Sequence, residues 1–269
     1  MSVVRKTSEE IDRMREAGRL LAKVHEDLGK ELRPGMSTLE IDRLGEDMIR
    51  SFGCTPSFKN YSGYPASVCV SIDEEVVHGI PSAEKFIREG DIVSLDIGLC
   101  YKGYHSDAAR THAVGDISKE ASLLIERTRQ SFFEGMKFAT AGRHLHEISA
   151  AVGSYAEQFG YGVVRDLCGH GIGKKLHEDP EIPNYRPLRR GIRLQAGMTL
   201  AVEPMINEGT WQVRWLDDEW TVITADMSLS AHYENTIVIT EGLPEILTLT
   251  ESEIAADENL KQYLGARGR

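Results

Sequence analysis

The sequence is poor in cysteine, in clustered positive charge and in long apolar runs. Its four cysteines, Cys54, Cys69, Cys100 and Cys168, are scattered over 269 residues without a close pair. That excludes a CxxC redox motif or a zinc finger and argues against a disulfide framework. The expected compartment is reducing and cytoplasmic, with the thiols serving mostly as small apolar side chains. No run of Lys or Arg exceeds two residues, and 31 basic residues face 42 acidic ones for a formal net charge of −11. Nucleic acid is therefore not expected as the main ligand, because phosphate binding needs clustered positive charge. No stretch approaches the roughly 18 to 20 apolar residues that span a bilayer, and the start, MSVVRKTSEE, lacks the apolar core of a signal peptide, so no membrane association is expected. What remains is ordinary globular usage, 41% hydrophobic and 27% charged, enough for a sizeable core. Nine histidines accompany the acid excess, so part of that acid can be gathered around a cation.

Two capping boxes announce helices. Thr7-Ser-Glu-Glu10 precedes Ile11, Met14, Leu20, Leu21, Val24 and Leu28 at near-helical spacing; Ser37-Thr-Leu-Glu40 precedes Ile41, Leu44, Met48 and Phe52, with Gly53 as a stop. Residues 66–80 read as strand, turn and strand. The stretch from Asp91 to Val114 reads as a hairpin turning at Lys102-Gly103. Helices are predicted over about 118–138 and 144–159, the latter ended by Gly160, and strands with glycine-rich loops over 162–247. Helices then strands, twice over, predict two similar α+β halves sharing one antiparallel sheet. No linker divides them, so residues 1–250 are expected to form a single catalytic domain. The polar residues 251–269 are expected to form a frayed or short helical tail.

The hairpin carries two aspartates. With a Lys102-Gly103 turn, Asp96 faces Ala109, and Asp107 lies two residues along on the same face, a diagonal pair about 7 to 8 Å apart at Cα. Either alone reads equally well as an exposed strand residue; two on one face among Leu95, Ile97 and Ala108 are harder to dismiss, because Asp is depleted in strands. His170 stands among glycines in CGHGIG, and His177 follows seven residues later. A lone histidine is more often structural than a ligand. Glu203 in TLAVEP and Glu234 in AHYENT lie in apolar, strand-like runs, where an unpaired charge is costly to bury. Four such carboxylates match two divalent ions held by bridging oxygens.

In order along the chain, His78 in DEEVVHGIP, Asp96 in SLDIG, Asp107 in YHSDAART, His170 in GHGIG, His177, Glu203 in AVEPM and Glu234 in SLSAHYENTIV resemble the type I methionine aminopeptidases, from about residue 5 to residue 248. The 32 residues between His170 and Glu203 leave no room for the inserted block of the type II branch. The resemblance implies a pita-bread fold, with two pseudo-symmetric α+β halves on a curved antiparallel sheet, and a centre of two divalent ions. Asp96 would chelate one ion, Asp107 and Glu234 would bridge both, and His170 with Glu203 would complete the other. Cobalt, manganese, iron and zinc all suit such ligands. Glu203, His78 and His177 would be catalytic. The loop SFKNYSGYPASVC offers Phe58, Tyr61, Tyr64 and Cys69 for a methionine pocket, and the resemblance adds Leu176 and Trp220, with His78 and His177 also touching substrate. It further implies a monovalent-cation site, usually sodium, near Asp73 and Ser230; Asp73 stands where the family usually has asparagine.

The implied activity is removal of the N-terminal methionine from nascent proteins whose second residue is small. Nascent chains, transient ribosome contact and a monomeric state are the expected context. Two rivals share the fold. X-Pro aminopeptidases and prolidases usually carry a further N-terminal domain, whereas only about 65 residues precede the first strand here. Metal-free binding modules have lost ligands that this sequence keeps.

Overall fold

The computed structural model describes residues 3–265; residues 266–269 of the polar tail lie outside it. The first half opens with helices α1 (Ser8–Glu31) and α2 (Thr38–Ser51), followed by strands β1 (Thr55–Pro56), β2 (Val68–Ile72), β3 (Glu75–Val77), β4 (Ile92–Tyr101) and β5 (Tyr104–Ala113). The second half repeats helices before strands: α3 (Lys119–Met136) and α4 (Leu145–Glu157), then β6 (Gly162–Val163), β7 (Gly169–Gly171), β8 (Glu178–Ile182) and β9 (Thr199–Val202). It continues through β10 (Met205–Asn207), β11 (Val213–Trp215), β12 (Val222–Thr224), β13 (Ser230–His232), β14 (Glu234–Val238) and β15 (Glu245–Ile246), and α5 (Glu251–Ala256) follows.

Both predicted capping boxes form, with Thr7 and Ser37 accepting from the amides of Glu10 and Glu40. Each cap contributes about 1 kcal/mol. A fully buried Leu, Ile or Phe contributes roughly 1.5–3 kcal/mol, so packing of the apolar faces decides where the helices lie. In the first half, Leu21, Val24 and Leu28 of α1 and Ile41 and Ile49 of α2 pack against Val93, Leu95, Ile97 and Leu99 of β4. In the second, Phe132, Phe133 and Met136 of α3 and Ile148 and Val152 of α4 pack against Leu200, Val202 and Ile237.

The halves meet in a nine-stranded sheet of order β1-β4-β5-β14-β9-β7-β8, with β2 also on β4 and β15 also on β14. Every named strand pair in it is antiparallel. Two small three-stranded sheets, β13-β10-β6 and β11-β12-β3, stand beside it, so the sequence-based picture of a single sheet covers only the central part. The β4–β5 hairpin turns at Lys102 and Gly103, both at positive φ, a two-residue turn whose twist suits the flanking strands.

The predicted strand to residue 80 ends at Val77, because His78 adopts φ 60°. Helix α4 stops at Glu157, short of Phe159, and Gly160 follows at positive φ. The segment read as a polar tail forms α5 and a 3-10 turn over Glu258–Tyr263. Its Leu260 and Tyr263 are buried in the core of the second half, and its Glu253 pairs with buried Arg110.

Candidate metal centre

Sheet register brings the acidic residues together. Asp96 of β4 faces Ala109 of β5, and Ala109 in turn faces Glu234 of β14. Glu203 follows Val202, which pairs with Asn235, so it falls in line beside Glu234. Two residues along the same face, Asp107 faces Gly98, and His170 of β7 faces Ala201 of β9. Because cross-strand neighbours share a face and positions two apart repeat it, two adjacent rows of one sheet face carry all five residues. Thr236 stitches the rows where the ladder opens: its hydroxyl accepts the Asp107 amide and donates to the Asp107 carbonyl, both at 2.9 Å.

The geometry fits a cation. Ligand atoms of Asp107, His170 and Glu234 lie within 4.8 Å of one another. His170 Nε2 is 3.9 Å from Asp107 Oδ2 and 3.6 Å from Glu203 Oε1. Its Nδ1 lies 2.9 Å from the Gly171 carbonyl, which fixes that nitrogen as the donor and aims the Nε2 lone pair at the carboxylates. Burial lowers the His170 pKa to about 3, so the ring is neutral, as a ligand must be. Burial first, then the neighbouring carboxylates, pushes Asp107 and Glu203 well above the ordinary carboxylate range; Glu234 is raised in the same way. Asp96 is pushed up by burial. Among the described residues, Asp96 Oδ1 and Glu234 Oε1 are buried without a hydrogen-bond partner, and no Lys or Arg forms a direct ion pair with the four carboxylates, Arg110 acting on the Glu234 carboxylate only from a distance. Four such carboxylates with one neutral imidazole match the oxygen and nitrogen donors of hard-to-borderline divalent ions.

The centre opens into a cavity of about 290 Å³. Phe58, Tyr61, Tyr64, Cys69, Leu176 and Trp220 line it, as do His78 and His177, so every predicted pocket and catalytic residue shares one space with the five candidate ligands. The Tyr64 hydroxyl donates to the Gly79 carbonyl at 2.9 Å, and its ring meets Trp220 edge-on at 5.1 Å. Trp220 also packs edge-on to His78 at 6.1 Å. His177 Nδ1 lies 2.7 Å from the Tyr61 hydroxyl, and its ring stands 4.3 Å from that of His170. Burial, then His177, lowers His78 to about 4; burial also lowers His177. Both imidazoles are therefore neutral at neutral pH, each with one N–H to donate.

Sequence reasoning missed Cys168 and Met205, which also line the cavity. Cys168 sits in the CGHGIG motif itself, and that proximity was the available signal. Asp73 and Ser230 lie apart from the centre. The Ser230 amide donates to the Asp73 carbonyl at 2.8 Å, but the Asp73 carboxylate accepts from Ile92 and the Ser230 hydroxyl donates to Asn207.

A buried sheet face offering four carboxylates and an imidazole beside an aromatic-lined cavity defines a metal-dependent hydrolase. Residues 12–241 match the model of metallopeptidase family M24. The chain is 51% identical over 249 residues to a methionine aminopeptidase of Clostridium acetobutylicum, covering 93% of this chain and all of that one. The crystal structure of the methionine aminopeptidase of Thermotoga maritima superposes with a TM-score of 0.90 at 42% identity, over 92% of this chain and all of that one. A Xaa-Pro dipeptidase of Bacillus anthracis gives 0.72 at 28% identity, and this chain spans 91% of itself but 61% of that larger protein. The chain thus belongs to the methionine aminopeptidases of metallopeptidase family M24, and its architecture is the pita-bread fold of these neighbours.

Proposed function

We propose that this enzyme removes the N-terminal methionine from peptides and nascent proteins whose second residue is small. The observation that carries the reading is the direct opening of the five-ligand centre into the aromatic-lined cavity. Asp96, Asp107, His170, Glu203 and Glu234 would hold two divalent ions. When bound, the ions supply Lewis-acid activation of a water and of the scissile carbonyl; cobalt, manganese, iron and zinc all suit the donor set.

The chain's own residues do the rest. Glu203 takes the proton of the attacking water and returns it to the leaving amine. Tyr61 orients His177 through Nδ1, which leaves the other ring nitrogen to hydrogen-bond the carbonyl oxygen as it gains charge. His78, turned into the cavity by its positive φ, positions the scissile amide. The methionine side chain lies among Phe58, Tyr64, Cys69, Leu176 and Trp220, a wall of apolar and aromatic groups that suits a flexible thioether. The Asp96 end of the centre takes the free α-amino group, so an internal bond has no anchor. The recessed centre disfavours a bulky second residue.

The working context is the cytoplasm, as a monomer in transient contact with the ribosome, where nascent chains emerge. The oxygens around Asp73, between β2 and β3, and Ser230, at the start of β13, are assigned to a monovalent cation, sodium; exchanging sodium for a bulky organic cation should lower stability. No helix among the described residues is long and apolar enough to cross a membrane.

The test is Asp107→Ala and His170→Ala, with metal analysis and turnover of Met-Gly-type and X-Pro peptides. Both variants should lose bound metal and turnover, and the wild type should prefer the Met-Gly-type substrate. Unchanged metal content and turnover, or a preference for X-Pro peptides, would overturn the assignment.

A further inference from the structure

His232 ends β13, two residues before Glu234, and no step above uses it. Its backbone is pinned: the amide donates to Thr111 Oγ1 at 2.9 Å, and the carbonyl accepts from the same hydroxyl at 3.0 Å. The side chain is 1% exposed, yet neither ring nitrogen has a hydrogen-bond partner among the described residues. A buried unpaired polar group costs on the order of 1–3 kcal/mol, so a leucine would pack here at less cost. A polar ring retained in such a place calls for a partner that forms in the working enzyme.

The geometry identifies that partner. His232 Nε2 lies 3.9 Å from Glu203 Oε2, while the other oxygen, Oε1, faces His170. His232 does not line the substrate cavity. It lines a second cavity of about 380 Å³, together with His25 and Arg129 from two helices and Arg110 and His112 of β5. Along β5, positions 110 and 112 lie on the sheet face opposite Asp107 and Ala109. The imidazole thus stands in the wall between the carboxylate and a rear space. A neutral imidazole is two-ended, with one N–H donor and one acceptor nitrogen, which suits a wall residue serving both sides.

We propose that His232 is a positioning residue for Glu203: its Nε2–H holds Oε2 once the carboxylate turns about its last bond. This rests on the reading of Glu203 as the group that takes the water's proton. The hydrogen bond sets the plane of the carboxylate and so the direction in which it receives that proton. Removing a donor that orients a reacting group in this way leaves substrate affinity unchanged and lowers the rate of the chemical step.

His232→Leu and His232→Gln test the contact. The Leu variant should lower kcat about 10- to 100-fold, with KM for a Met-Gly-type peptide and bound-metal stoichiometry both within about twofold of wild type. The Gln variant, whose amide N–H can reach the same oxygen, should recover to within about threefold of wild type. Independently, ¹⁵N spectra of the imidazoles in the zinc-loaded, substrate-free protein, assigned by the signal missing from His232→Gln, should show His232 protonated at Nε2. Wild-type kcat in the Leu variant, a Gln variant as slow as Leu, or an Nδ1–H tautomer would each overturn the proposal. Wild-type protein inert toward Met-Gly peptides overturns the function proposed above, whereas the tautomer, read without substrate or turnover, decides the His232 contact by itself.

Discussion

Adding one methyl group at Gly169 should damage the centre without replacing any of the five candidate ligands. A Cβ built there would lie 2.4 Å from the backbone carbonyl oxygen of Ala201 and 3.4 Å from Glu203 Cγ. The first contact is roughly 1 Å inside ordinary van der Waals separation, and a backbone oxygen in a central strand cannot swing aside. Gly169→Ala must therefore push β7 away from β9, carrying His170 off its partner Ala201 and away from Glu203. Overpacking of this kind costs about 1–3 kcal/mol, and a displacement near 1 Å at a reacting centre costs about 10²-fold in rate. In a domain of this size each kcal/mol lowers the melting midpoint by roughly 2–4 °C. Scanning calorimetry, metal titration and kcat/KM on a Met-Gly peptide read these effects together. Gly242→Ala, with nothing within 4 Å of the added atom, is the control and should match wild type. A Gly169→Ala enzyme within about threefold of wild-type activity and with an unchanged midpoint would refute the claim that close β7–β9 approach sets the ligand geometry.

Three further outcomes are expected. Glu253→Ala should lose about 3–5 kcal/mol in urea unfolding at pH 7, because it leaves Arg110 buried without its carboxylate. In the wild type the Glu253 pKa is lowered from 4.5 to about 2: burial raises it, but Arg110 together with the Thr250 and Tyr233 hydrogen bonds outweighs burial. Its contribution is therefore full above about pH 4.5 and fades as pH falls through about 2; an acid limb equally steep in the variant would refute this. In metal-free protein the raised carboxylates of the centre have the opposite sign: the folded state holds protons that the unfolded state has released, so stability should fall as pH rises above about 4. Urea midpoints at pH 5 and 8, with chelator and with excess metal, check this, and equal slopes in both conditions would contradict it. Tyr61→Phe removes the hydroxyl beside His177 from a partly exposed side chain, so kcat should drop about tenfold while the melting midpoint stays put; a normal kcat would mean that the contact does not orient His177.

Much of the fold was legible because its signals are local. The capping boxes at Thr7 and Ser37 and the turn at Lys102-Gly103 act within a few residues, and α1, α2 and the β4–β5 hairpin follow them closely. The fate of residues 251–263 was not legible. Their polar composition describes the exposed side of α5, while the burial of Leu260 and Tyr263 and the pairing of Glu253 with Arg110 depend on a groove formed by distant elements. The same holds for His232, which in sequence is one more histidine near a motif and in space lies between Glu203 and a rear cavity.

By itself the sequence determined the donor types of the candidate centre and the relation of its two aspartates. Asp96 and Asp107 share a face because a two-residue turn sets the register between them, and that register is a property of contiguous chain. Only the tertiary structure decided that Glu234 comes level with Ala109, that Glu203 falls in line beside it, and that His170 reaches both carboxylate rows. Those placements depend on β14 lying between β5 and β9, a pairing of strands far apart in sequence. It is held in place by the packing of the helices in the two halves rather than by any local signal.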